Sequence, residues 1–185
     1  ANGPDSLPGP QTNYVHLEVL GDLADGQQAG PGGVATDVSS LDHVFIDGRA
    51  EEIMRSVYVQ LAVSEPSRTA WLHMFEILAD DATGPLLFHC TAGKDRTGFF
   101  AGLLLRVLGV DMALIDSDYL SSNVAYEKRW PHGWETIAAR VSDPAVLRPF
   151  VDADRSYLDA AQHAIRTTYG DLDGYLADGV KVSAK

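Results

Sequence analysis

The amino-acid sequence predicts an α/β fold, and three observations predict it. Tyr14-Val15-His16-Leu17-Glu18-Val19-Leu20 alternates between apolar and polar residues and is rich in β-formers, the pattern of a strand. Leu86-Leu87-Phe88 is a short apolar run after the turn signal Gly84-Pro85, and it reads as a second, buried strand. From Phe99 to Leu108 the apolar residues fall on one face, so a helix follows, closed by Gly109. At 185 residues the chain is long enough for one domain, 1–185, with a core of its own.

The remaining elements follow in chain order. Ala1 to Asn13 is an exposed lead-in, Gly/Pro-rich at its start and without the pattern of a secretory signal. Gly21 to Asp25 turns out of the first strand, and 26–40 is rich in Gly, Ser and Gln, the composition of a mobile loop. Leu41 to Gly48 fits either a short helix or a loop. Ala50 to Ala62 reads as a helix with Ile53, Val57 and Leu61 on one face. Ser64-Glu65-Pro66 is a helix start, and Trp71, Met74, Phe75 and Leu78 mark the helix that ends by Asp80. Beyond the central helix, Asp111 to Lys128 is helical with a break near Ser121-Ser122. Trp130 to Gly133 is a turn, and Trp134 to Val141 is a short helix. Asp143-Pro144 starts another helix, and Ala153 to Tyr169 is a long one ended by Gly170. Leu172 to Asp178 adds a last turn or two, so the C-terminal half is helix-rich.

Composition narrows the function. A net charge of −12 disfavours nucleic acid and anionic lipid surfaces, and it repels an anionic substrate globally. Attraction must then come from a local basic pocket. No apolar run is long enough to span a bilayer, so no integral membrane association is expected. The single cysteine excludes an internal disulfide, and a free thiol suits a reducing, cytoplasmic compartment or export without oxidation. The six histidines lack ligand spacing, so no metal is expected, and no other cofactor is expected either.

The chemistry lies between the second strand and the central helix, in His89-Cys90-Thr91-Ala92-Gly93-Lys94-Asp95-Arg96-Thr97-Gly98. A helix start presents amides without internal partners, and its dipole favours an anion. Gly93 lets successive loop amides curl into a nest. A Cys90 thiol held there is acidified by the dipole and by Lys94 and Arg96. Arg96 offers a planar fork that matches two phosphate oxygens. Together they make a thiolate nucleophile beside a phosphate clamp. A cysteine at a strand end is more often a small buried hydrophobe. The whole string in its strand–loop–helix setting outweighs that reading.

This string resembles the signature loop of the cysteine-dependent phosphatases. Its Lys94-Asp95-Arg96 variant is similar to that of the bacterial protein-tyrosine/serine phosphatase family. Leu17 to Asp25, ending in Asp22-Leu23-Ala24-Asp25, Asp118-Tyr119-Leu120-Ser121-Ser122-Asn123 and Tyr169-Gly170 through Tyr175-Leu176 resemble further patterns of that family. The resemblance implies a central, mostly parallel sheet flanked by helices. It also implies strands preceding the Tyr14–Leu20 equivalent, so the chain is either a fragment or draws its sheet from stretches that the pattern does not assign. The implied activity is metal-free phosphomonoester hydrolysis through a phosphocysteine, on phosphotyrosine with dual or lipid specificity. A phosphoinositide phosphatase and an inactive phosphate-binding module are the alternatives. The expected partner is a phosphoprotein or phosphoinositide substrate.

Roles then fall on named residues. Cys90 attacks phosphorus, Arg96 holds the equatorial oxygens, and the loop Thr91, Ala92, Gly93, Lys94, Asp95, Arg96 lines the cradle. Thr97 gives its hydroxyl to the sulfur, caps the helix, or does both. His89 orders the loop. Asp22 and Asp95 are the candidate general acids, Asp22 preferred, with ordinary turn and loop-bracing roles as their bland alternatives. Lys94 as a second cation would suit a substrate bearing another phosphate; its alternative is electrostatic support. Trp130-Pro131-His132 is similar to the Trp-Pro-Asp acid loop of classical tyrosine phosphatases, but it has His for Asp and follows the cysteine, so it reads as a turn.

Overall fold

A computed structural model describes residues 9, 12–21, 48–126, 135 and 138–182. Helix α1 spans Arg49–Val63, α2 Glu65–Leu78, α3 Asp95–Val107, α4 Met112–Ser121 and α5 Asn123–Tyr126. A single tight turn of helix, Pro144–Leu147, leads into α6, Arg148–Val151. Helix α7 spans Arg155–Tyr169, and α8, Leu172–Gly174, widens into a π-helical segment, Tyr175–Val180.

Local signals explain the ends of these elements. Ser64 closes α1 through its N–H to Gln60 O and opens α2 by accepting from Ser67 N, with Pro66 in the first turn. Asp154 caps α7 by accepting from Ser156 N at 2.8 Å, and Gly170 ends it with φ 84°. Ser122 separates α4 from α5, where the sequence predicts a break.

The core is helix against helix. Helix α1 lies along α7, and Met54, Val57, Tyr58 and Leu61 meet Tyr157, Leu158, Ala161 and Ile165 in one buried cluster. An aromatic group joins α2 to α3: Trp71 stacks on Phe100 at 5.5 Å, and Phe75 lies 5.2 Å from Phe100. The Trp71 indole N–H donates to Leu61 O at 2.8 Å, which ties α2 to α1 without leaving a buried donor unpaired.

The expected central parallel sheet is not found: there is no strand among the described residues. Residues 12–18 have no regular structure, and Tyr14 and Val15 are half exposed. Leu86 to Cys90 is likewise irregular, and Leu87 is 86% exposed. The physical reason is partnership. A strand is stable only when a neighbouring strand takes its amides and carbonyls, whereas a helix satisfies its own. No described segment pairs with either run, so β-rich composition alone does not make a strand. Of the second run, Phe88 turns inward, edge-on to Phe100 at 5.4 Å. The expectations for 26–40, for Leu41 to Gly48 short of Gly48 itself, and for Trp130 to Gly133 fall outside the described residues.

Candidate functional site

The loop begins where Phe88 is pinned on α3 and ends where α3 begins. His89 Nδ1 lies 3.1 Å from Cys90 O, so an imidazole N–H there donates to the carbonyl. Gly93 takes φ +66°, a left-handed conformation that side-chain-bearing residues rarely adopt. A Cβ there would meet nothing within 4 Å, so backbone geometry and not space calls for glycine. Lys94 is the helix N-cap residue, and its carbonyl accepts from Gly98 N at 2.7 Å in the first turn. Gly98 is needed for a different reason: a Cβ would lie 2.9 Å from the Tyr119 ring, so its absence lets α4 approach α3.

The cysteine is half-buried, and its thiol titrates below its usual value. Burial pushes the thiol up. The Thr97 hydroxyl, the Thr97 amide, the Arg96 charge and the Lys94 amide pull it down by more. Thr97 Oγ1 is itself buried, with no hydrogen-bond partner of standard geometry. Its hydroxyl is therefore free to settle on a sulfur anion. The Arg96 guanidinium turns back across the loop and donates to Thr91 Oγ1 at 3.0 Å. Sulfur, the Arg96 charge and the amides of Lys94 and Thr97 are thus gathered at one helix start, an end whose dipole favours an anion.

The other half of the loop faces inward. Lys94 is only 1% exposed. Its ammonium donates to Asp152 O at 3.0 Å and pairs with Asp95 Oδ1 at 2.9 Å. The same Asp95 oxygen accepts from Tyr58 Oη at 2.9 Å, and Tyr58 Oη lies 2.7 Å from Tyr119 Oη. Asp152 in turn pairs with Arg148. Asn123 makes two bonds to the Ala153 backbone, at 2.9 and 2.6 Å.

The structure brings Cys90, Arg96, Thr97 and the Lys94 amide together, while the Lys94 side chain and Asp95 Oδ1 are engaged with each other, with Tyr58 of α1 and with Asp152 O. Asp22 lies outside the described residues. The residue before it is placed: Gly21, at φ +57°, sits so close to Pro66 that a Cβ would lie 2.8 Å from its Cγ. Ser67 Oγ also donates to Val19 O at 2.7 Å, so the segment that precedes Asp22 is anchored on the start of α2. Sequence reasoning did not single out Tyr58, Tyr119, Asn123 or Asp152. The signal for two of them was present in Asp118-Tyr119-Leu120-Ser121-Ser122-Asn123, which resembles a family pattern but suggests no chemistry by itself.

The profile of the tyrosine phosphatase family matches residues 3–185. The chain belongs to that family. A Cupriavidus necator protein named for a tyrosine-protein phosphatase is 46% identical over 101 residues, 52% of this chain and 36% of the relative. The triple specificity protein phosphatase PtpB of Mycobacterium tuberculosis is 36% identical over 145 residues, 72% of this chain and 51% of the relative. A tyrosine-protein phosphatase of Nostoc commune is 38% identical over 132 residues, 64% of this chain and 42% of the relative. The chain thus spans between about a third and a half of the length of these tyrosine phosphatases. Among the described residues, no helix is long and apolar enough to cross a membrane.

Proposed function

We propose that this member of the tyrosine phosphatase family hydrolyses phosphomonoesters through a phosphocysteine, with phosphotyrosine in proteins as its main substrate. The observation that carries the reading is the acidified Cys90 thiol beside the Arg96 guanidinium, at the amide-rich start of α3. The Cys90 thiolate attacks phosphorus, the S–P bond forms, and the P–O bond to the leaving group breaks. The leaving oxygen takes a proton from Asp22, the proposed general acid. Water then gives a proton back to Asp22 and attacks phosphorus, and the S–P bond breaks, returning the thiolate and releasing inorganic phosphate. Arg96 and the amides of the loop hold the equatorial oxygens through both steps. Thr97 donates to the sulfur whenever it is anionic.

Wider specificity is part of the proposal, supported by the printed name of PtpB, a triple specificity protein phosphatase. A lipid reading that uses Lys94 as a second phosphate cation has less support, because the ammonium is buried on Asp152 O and Asp95. Asp22 is preferred to Asp95 as proton donor because one Asp95 oxygen already accepts from both Tyr58 and Lys94.

The test is hydrolysis of para-nitrophenyl phosphate by the full chain, with loss of activity in Cys90→Ser. Phosphate binding with no turnover would sink the enzyme reading and leave a binding module. The Cys90→Ser protein should then trap a phosphotyrosine peptide; retention of phosphoinositide in its place would move the substrate class. Asp22→Asn should slow alkyl and phenyl phosphates far more than esters with good leaving groups. If Asp95→Asn has that pattern, the two acids exchange roles.

A further inference from the structure

The buried face of the loop carries a hydrogen-bond chain that phosphate chemistry does not require. Asp95 is an acceptor when ionised, so the Tyr58 proton goes to Asp95 Oδ1. Tyr119 must then donate to Tyr58 Oη, and Tyr119 accepts in turn from the Asp154 N–H. Lys94 closes the circuit, joined to the same Asp95 oxygen and to Asp152 O. Burial first, and the nearby Asp95 charge after it, push the Tyr58 phenol well above its usual range. Burial raises Tyr119 as well. Both phenols keep their protons, so the direction of the chain is constant. Tyr58 is completely buried, and its ring packs on Tyr119 and Tyr157, which leaves the hydroxyl little choice of partner.

The link to the reacting atom is the backbone of Lys94. Its side chain is tied into this circuit, and its amide is one of the donors that lower the Cys90 thiol. We infer that Tyr58 and Tyr119 are positioning residues: through Asp95 and Lys94 they hold the last amides of the loop on the Cys90 sulfur. The inference rests on the reading of Cys90 as the nucleophile. It assigns Lys94 and Asp95 to bracing the loop from inside, and it gives the Tyr119 of the Asp118–Asn123 stretch a task. Neither phenol touches the sulfur. Tyr58 acts through Asp95, and Tyr119 acts through Tyr58.

The experiment measures the pH dependence of Cys90 alkylation by iodoacetamide, together with kcat and KM, on the full chain. Tyr58→Phe keeps the ring and removes the proton donated to Asp95. It should raise the alkylation midpoint, slowing alkylation by about threefold to tenfold below both midpoints. It should lower kcat more than it changes KM, because a looser amide holds the developing charge less well. Tyr157→Phe is the control: it also removes a buried hydroxyl beside Tyr58, but that hydroxyl donates to Pro149 O at 3.1 Å. It should leave the midpoint at the wild-type value. An unchanged midpoint in Tyr58→Phe overturns the inference, and so does an equal rise in Tyr157→Phe, which would mean general loosening. Should Tyr58→Phe not fold, Tyr119→Phe carries the same expectation at smaller size, and a wild-type midpoint there overturns it. If the wild-type chain hydrolyses no phosphomonoester, alkylation still reads the sulfur, so the function and the positioning can fail separately.

Discussion

The two flanks of the loop are unlike. On the N-terminal side, Leu86 and Leu87 face solvent, and Phe88 alone reaches the core. On the C-terminal side, α3 buries Phe99, Phe100 and Leu103 and passes within a glycine's width of Tyr119. Cys90, the proposed nucleophile, belongs to the less buried side and Arg96, its proposed clamp, to the side that α3 forms. The difference teaches where the geometry of the site originates. The amides and the guanidinium are set by α3 and its packing, and the cysteine is drawn to them by the turn at Gly93 and the anchor of Phe88. An oxyanion cradle needs its donors fixed before the anion arrives. The sulfur has only to meet them.

Substitutions on the two sides should therefore behave differently. Phe100→Ala removes the ring shared by Trp71, Phe75 and Phe88, and it should destabilise the fold by about 3–5 kcal/mol in denaturant unfolding. A cost below about 1 kcal/mol would mean that α3 is not the anchor. Thr97→Val is milder and acts on the sulfur. The Thr97 hydroxyl favours the thiolate, so its loss raises the thiol pKa. The reactive form is present above that pKa and lost below it, so the acid limb of alkylation and of kcat/KM should move to higher pH. A limb that stays in place would remove Thr97 from the account. Leu87→Asn should be the smallest change, within about 0.5 kcal/mol, because its side chain already faces water. A large loss of stability there would instead reveal a covering element on the N-terminal flank and reverse the comparison.

Legibility from the sequence follows the same division. The helices were readable because each shows its own period and its own ends. Ala50 to Ala62 is expected and Arg49–Val63 observed, and the Ser64-Glu65-Pro66 start and the Gly170 stop fall where the residues put them. Tyr14–Leu20 and Leu86–Phe88 carry strand composition, yet strandness is a relation between two segments and cannot be read from one. At the site, Cys90, Arg96, Gly93 and Thr97 stand within eight residues of one another, so one loop suffices to imply their meeting. Tyr58, Tyr119 and Asp152 lie 37, 24 and 57 positions from Asp95, and nothing local joins them to it.

By itself the sequence determined the signature loop, the helix that follows it and the family to which both belong, since all three depend on neighbours along the chain. Only the tertiary structure decided which way each loop side chain faces. Lys94 and Asp95 stand beside Arg96 in sequence, but successive residues at a helix start point in different directions. The packing of α1 and α4 then turned one cation and one carboxylate inward, to phenols and a carbonyl that the chain brings from far away.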